Sequence, residues 1–111
     1  MRVNVELART PGERAQGLMG RRSLGPRQGM LFIFPTQTHG GFWMKNTLIP
    51  LSIAFIGTNG RIQQIMVMEP CRRDPCRVYT PRRPYVRALE VNKGAFGRWG
   101  VRAGDRVVLL R

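Results

Sequence analysis

The feature that most constrains the fold is a turn signal at residues 57–60, Gly-Thr-Asn-Gly, between two runs in which apolar residues alternate with others. Because Asn and Gly tolerate positive φ angles, this turn between alternating runs predicts a β-hairpin. The register stays open, since both faces of the second strand are partly apolar. A two-residue turn would pair Ile53 with Met66, whereas a three-residue loop with a bulge would pair Ile53 with Ile65.

The segment before the hairpin has an unusual composition. Residues 42–47, Phe-Trp-Met-Lys-Asn-Thr, combine two large aromatic side chains with a lysine, an amide and a hydroxyl. If they form a strand, alternation gives each face both apolar bulk and a polar tip, which predicts that the strand lines a pocket or lies at a rim. Pro50 lacks a backbone donor, so it should break this element from the apolar strand that follows.

The chain before this segment begins with a strand and a helix. Residues 2–8 alternate like a strand. Thr10, followed by proline and with Glu13 three positions later, forms a capping box that predicts a helix over residues 11–19. Ala15, Leu18 and Met19 should form its packing face.

Later segments predict further strands and one helical turn. The strands are expected over residues 30–34, 85–91 and 106–110, the last being apolar on both faces and therefore central. Asn92 is predicted to cap a short helical turn, and residues 101–105 to form a tight turn. One helix with six or seven short strands indicates a single domain, residues 1–111, that is mainly β (α+β): a small, mostly antiparallel β-barrel or sandwich with the N-terminal helix packed at an end.

Charge is the strongest compositional bias. Nineteen basic residues against 6 acidic ones give a formal charge of +13, and all the basic residues except Lys45 and Lys93 are arginine. Such a charge predicts non-specific attraction to nucleic acid or anionic surfaces. The arginines are scattered mostly over predicted turns, which argues against dedicated nucleic-acid recognition. No apolar run approaches the length of a membrane span, so the chain is predicted not to be transmembrane.

The cysteines and the single histidine carry little signal. Four residues separate Cys71 from Cys76, which fits neither a thioredoxin-like motif nor half of a zinc site. A disulfide in an oxidising compartment and two free thiols in the cytosol are equally compatible with this spacing. His39 lies in a Gly-flanked loop without other ligands nearby, so neither a metal nor a cofactor is predicted.

Several motifs together resemble one known family. These are ERAQGLMGR, GMLFIF, FWMKNTLIPLSIAF, NGRI, the cysteine pair, ALEVNKG and GVRAGDRV, which cover nearly the whole chain and resemble the uncharacterised family DUF192. The resemblance implies a compact, mainly β domain of bacteria and archaea, often exported behind a leader or lipid anchor, with no established reaction. Ser52 departs from the family pattern, which usually has an acidic residue there.

The resemblance also suggests a set of candidate ligand-binding residues. The family's polar signature falls on Lys45, Asn46, Thr47, Glu90, Asn92 and Asp105, and Phe42 or Trp43 would supply an apolar wall. We expect Lys45 to lie close to Glu90 at the mouth of a concavity, with the two asparagines beside them. A structural ion pair and a ligand pocket both account for this placement.

Three classes of function remain. A non-catalytic binding or accessory domain, with its ligand unknown, is favoured because no nucleophile with a base, no paired carboxylates and no phosphate-binding glycine loop is evident. The alternatives are a small enzyme that uses Lys45 and Glu90, and a non-specific nucleic-acid-binding protein. Localisation would be the cell envelope or outside it if a leader were removed upstream, and the cytoplasm otherwise.

Overall fold

The computed structural model describes residues 1–110 and shows a mainly β domain. The elements, in chain order, are β1 Asn4–Ala8, α1 Pro11–Gln16, β2 Gln28–Thr38, β3 Phe42–Trp43, β4 Leu51–Ile56, β5 Ile62–Met68, β6 Val78–Tyr79, β7 Tyr85–Asn92 and α2 Ala95–Arg98. Five strands form one sheet in the order β1-β2-β7-β4-β5, and β3 pairs with β6 in a separate two-stranded sheet.

The predicted fold class is confirmed. The β1–β2 pair is parallel and the other pairs in the large sheet are antiparallel. Of the two predicted arrangements, the closed barrel is not formed by residues 1–110, because β1 and β5 are the two free edges of an open sheet. Neither helix in that range has the length and apolar character that crossing a membrane requires.

Both faces of the large sheet are covered, and alternation along each strand sends neighbouring residues to different cores. The first core includes Phe32, Ile53 and Phe55, and the second includes Leu31, Ala54 and Leu89. The strands are therefore apolar on both sides, which explains why β4 is buried throughout its length.

The predicted hairpin is confirmed and its register resolved. The backbone N–H of Gly57 donates to Arg61 O at 3.0 Å, and Gly60 has a φ of 79° that suits glycine. The hairpin therefore has the three-residue loop. The strand register shifts by one residue between Ile56 and Phe55, and this shift restores the pairing of Ile53 with Met66. A bulge within β5, and not the turn alone, sets the register of this hairpin.

The prediction of a strand over residues 42–47 is wrong beyond Trp43. The N–H of Thr47 donates to Met44 O at 3.1 Å, which makes a turn, and Asn46 takes a φ of 60°. Asn is one of the few residues that adopts this left-handed conformation readily. The turn points Met44 into the core and leaves Asn46 exposed.

The C-terminal segment is not the central strand predicted from its apolar residues. It forms one bridge, between Arg61 and Arg106. Val107 and Leu109 pack against the second core, but Val108 and Leu110 are 65% and 62% exposed. The pattern is therefore that of an extended edge segment with one buried face.

Three local predictions also need correction. The helix α1 ends at Gln16, and Ala15, expected on its packing face, is exposed. The strand predicted to stop before Pro35 continues through it to Thr38, with an irregular register there. Asn92 does not cap α2, because Gly94 occupies the N-cap position without a side-chain hydrogen bond.

Candidate functional site

A cavity of about 340 Å³ lies over the first core, between α1 and its following turn, β2, β3 and β7. This volume falls at the lower end of the range for small-molecule sites. The side chains that give it chemical character are Arg14, Phe32, Phe34, Phe42, Trp43, Thr47, Tyr85 and Glu90.

Aromatic rings form most of the cavity wall. The ring centroid of Phe42 lies 5.0 Å from that of Phe32 and 6.4 Å from that of Phe34, both edge to face. Phe34 meets Tyr85 at 5.5 Å in the same arrangement. Edge-to-face contacts of this kind hold rings in fixed orientations, so the wall is preorganised.

Glu90 is the one buried acidic residue that lines the cavity. It lies on β7, the central strand, where it is paired with Met30 of β2 and Ile53 of β4. Only 5% of its surface is exposed, and it has no salt-bridge partner among residues 1–110. Burial raises the pKa of this carboxyl group from 4.5 to about 8, with no neighbouring charge or hydrogen bond to lower it. The carboxyl group is therefore mostly protonated at neutral pH.

Tyr85 and Arg14 are the other ionisable residues that line the cavity. The Tyr85 hydroxyl donates to Gly40 O at 2.6 Å, and burial raises its pKa well above the ordinary value. The Arg14 guanidinium donates to Ile33 O at 3.0 Å and to Arg9 O, and lies 4.9 Å from the centroid of the Phe34 ring. Both groups are held by backbone carbonyls, which fixes the cavity's shape.

Lys45 forms no ion pair with Glu90 among residues 1–110 and does not line the cavity that Glu90 lines, so the expected arrangement of the two at its mouth is not observed. The Lys45 Nζ atom lies 3.7 Å from a carboxylate oxygen of Asp74 and 5.3 Å from the centroid of the Trp43 ring, and its side chain is 41% exposed. The turn at Asn46 explains the difference, since it ends the strand that was to carry Lys45 to the sheet. An exposed pair of this kind contributes little to stability.

The predicted candidate residues therefore divide into two groups. Phe42, Trp43, Thr47 and Glu90 line the cavity, whereas Lys45, Asn46, Asn92 and Asp105 lie outside its lining. Three of those outside make local hydrogen bonds. The Asn92 amide donates to Leu24 O at 2.8 Å, and the Asp105 carboxylate accepts from the Arg102 N–H at 3.0 Å. The backbone oxygen of Asn46 accepts from the Gly20 N–H at 2.9 Å.

Sequence reasoning missed Arg14, Phe32, Phe34 and Tyr85. The two phenylalanines alternate in β2, which is a usable signal for a shared face. Tyr85 and Arg14 carry no such signal, because the first begins a strand and the second belongs to a short exposed helix.

The departure at Ser52 does not concern the cavity. Ser52 lies next to Ile53 in β4 and so faces the opposite side of the sheet from the first core. Its hydroxyl accepts from the Gly94 N–H at 2.9 Å. Ser52 therefore holds the turn between β7 and α2.

The two cysteines are joined by a disulfide, with their Cα atoms 5.6 Å apart. Cys71, Asp74 and Cys76 are a group within residues 1–110 whose potential metal-ligand atoms lie within 4.8 Å of one another. Because both sulfurs are bonded to each other, they supply no thiolate, and this group does not fit a metal.

The fold and cavity define a class of small β-rich domain in which one open sheet carries a buried carboxyl group under an aromatic wall. The chain belongs to the DUF192 family, described as an uncharacterized family, which it matches over residues 1–109. No curated protein matches it.

Two solved structures are similar to the chain. A Sinorhizobium meliloti protein, described only provisionally as a transcription regulator, is 42% identical over 92% of this chain and 78% of its own, with a TM-score of 0.82. A Novosphingobium aromaticivorans protein of unknown function is 36% identical over 96% of this chain and 75% of its own, with a TM-score of 0.87.

Proposed function

We propose that this protein is a non-catalytic binding domain whose small-molecule ligand occupies the cavity under the aromatic wall. The observation that carries the proposal is Glu90, a buried carboxyl group without a protein partner that lines a cavity. No fully buried side-chain oxygen among residues 1–110 lacks a hydrogen-bond partner, so the carboxyl oxygens of Glu90, which have no partner, are open to the cavity that the residue lines. A bound ligand can supply the missing partner.

The cavity residues favour binding over catalysis. Tyr85 already donates its proton to a backbone carbonyl, and Arg14 is held by two others. The lining hydroxyls belong to Thr47 and Tyr85, and both donate to backbone carbonyls and not to Glu90. The alternative enzyme with Lys45 and Glu90 loses its basis, because Lys45 pairs with Asp74 at the surface.

An exported or envelope location is part of the same proposal. It rests on the Cys71–Cys76 disulfide, since disulfides persist in oxidising compartments and are rare in the cytosol. An accessory protein of the envelope that captures a small ligand fits both the disulfide and the cavity.

A cavity-blocking variant tests binding with a small neutral aromatic probe, benzyl alcohol. Ala15 is exposed at the cavity, so Ala15→Trp should cover it without disturbing the core. We expect the probe to shift backbone NMR signals of β2 and β7 in the wild type, and Ala15→Trp to weaken its affinity about tenfold or more. Gly12→Trp is the matched control, because Gly12 lies on the same helix in open space and outside the lining. Equal affinities in all three proteins would contradict the proposal.

A second candidate, binding of anionic polymers such as nucleic acid, is supported by one surface. The segment between β5 and β7 carries exposed arginines, and β6 within it pairs with β3, which carries Trp43 at 49% exposure. The exposed arginines are Arg72, Arg73, Arg77, Arg82 and Arg83. Arginines beside an exposed aromatic side chain are typical of nucleic-acid surfaces.

The salt dependence of binding distinguishes this candidate from specific recognition. We expect any affinity for single-stranded DNA to fall by about an order of magnitude or more between 50 and 200 mM salt, with no preference for sequence. Fluorescence anisotropy with two unrelated oligonucleotides measures both properties. Replacing the arginine pair at positions 82 and 83 with glutamine should weaken binding to both equally. A sequence preference that persists at the higher salt concentration would instead indicate a specific regulator.

A further inference from the structure

The cavity also indicates which chemical class of ligand it takes. It combines one buried acidic group with a wall of aromatic rings, and its one lining cation, Arg14, is already held by two carbonyls. Aromatic faces attract cations, and a carboxylate is the natural partner of one. Thr47, which is 8% exposed, adds a hydroxyl that can accept a further hydrogen bond.

We propose that the ligand is an organic amine, bound as its ammonium ion against Glu90 with its apolar body among Phe32, Phe42 and Tyr85. This proposal rests on the proposed function, since it names the ligand class of the same cavity. A neutral ligand would meet the carboxyl group in its protonated form and make no ionic pair with it, and an anionic ligand would be repelled by the ionised form.

Binding of an ammonium ion requires Glu90 to lose its proton. The carboxyl is mostly neutral at pH 7, so the step is the arrival of R–NH₃⁺, release of one proton from Glu90 to solvent, and formation of the carboxylate–ammonium pair. No bond in the ligand changes and the charges balance. The affinity for an amine should therefore rise with pH up to about 8, the pKa of Glu90.

The other groups around Glu90 do not obscure this dependence. The flanking strands β2 and β4 place Met30 and Ile53 beside it, and β3 contributes no ionisable residue. Arg14 comes from α1 and Tyr85 from β7, and the pKa of Tyr85 is raised further from neutrality. Glu90 is thus the one lining group within residues 1–110 that titrates between pH 6 and 8.

The test compares benzylamine with benzyl alcohol, which have nearly the same shape but differ in charge. At pH 8 we expect benzylamine to bind at least about tenfold more tightly. Its affinity should increase roughly 50-fold from pH 6 to pH 8, and that of benzyl alcohol should not. Calorimetry in buffers of different ionisation enthalpy at pH 6.5 should detect about one proton released per amine bound.

Glu90→Gln provides the matched variant, since it keeps the shape and removes the charge. It should bind both probes alike and lose the pH dependence. Equal binding of the two probes by the wild type at both pH values would overturn the amine assignment and leave the small-molecule site in place. If neither probe binds at millimolar concentration, the proposed function itself is overturned. The wild-type pH comparison needs no variant, so it remains decisive if Glu90→Gln misfolds.

Discussion

Glu90→Gln is expected to stabilise the protein at alkaline pH by about 5 kcal/mol relative to the wild type. The pKa of Glu90 is raised by burial from 4.5 to about 8 in the folded state, so between these values the folded protein binds one proton more than the unfolded chain. The contribution of Glu90 to the free energy of unfolding of the wild type should therefore be greatest below pH 4.5. It should fall as the pH rises towards 8 and then level off. The neutral amide has no such dependence.

Denaturant unfolding at pH 5, 7 and 9 measures this difference. The gain from Glu90→Gln should be small at pH 5 and greatest at pH 9. Glu69→Gln is the control, because Glu69 is exposed and pairs with Lys93 at the surface, where removal costs at most about 1 kcal/mol. Glu6 and Glu13 have lowered pKa values, so their contributions are lost below pH 4.5, outside this range. A pH-independent difference between Glu90→Gln and the wild type would show that the carboxyl is ionised throughout.

Gly29→Ala is expected to destabilise the protein by roughly 3 kcal/mol or more. A Cβ atom at Gly29 would lie 2.5 Å from the backbone oxygen of Glu90, and 3.1 Å from a methyl carbon of Val91. The first contact is with backbone in a central strand, so it cannot be relieved by a side-chain rotation. The substitution should force β2 away from β7 at the position that carries Glu90.

Thermal and denaturant unfolding measure the loss, and Gly12→Ala is its control. A Cβ atom at Gly12 meets nothing within 4 Å, and the residue lies in α1, where alanine is the better helix former. That variant should be unchanged or more stable by up to about 1 kcal/mol. A Gly29→Ala protein as stable as Gly12→Ala would mean that the two strands separate at little cost.

Local sequence signals predicted the features that depend on a few adjacent residues. The capping box at Thr10 and the hairpin at Gly60 are both present, because each needs only its own side chains and permitted φ angles. The pairing of Ile53 with Met66 was one of two options, and a bulge within β5 decided between them. A bulge of this kind depends on packing across the sheet, which alternation does not encode.

The candidate site was predicted in part. The cavity lining includes two residues of the family's polar signature, Thr47 and Glu90. It also includes Phe42 and Trp43, the aromatic residues expected to form an apolar wall. Lys45 does not line the cavity, because a single left-handed residue, Asn46, redirects the chain before the predicted strand is complete. Whether Asn continues a strand or turns it depends on tertiary contacts, such as the hydrogen bond from the Gly20 N–H to Asn46 O.

The place of β7 in the sheet has a consequence for how the protein folds. Its two neighbours, β2 and β4, belong to the separate pairs β1–β2 and β4–β5, and β7 fills the gap between them. Both partner strands precede β7 in the chain, and paired residues such as Gly29 and Val91 are far apart in sequence. Because docking of β7 closes long loops, we expect it to be slower than formation of the hairpin. During synthesis the cavity cannot exist until residues 85–92 have emerged from the ribosome. Until then the inner edges of β2 and β4 stay open to pairing with other chains.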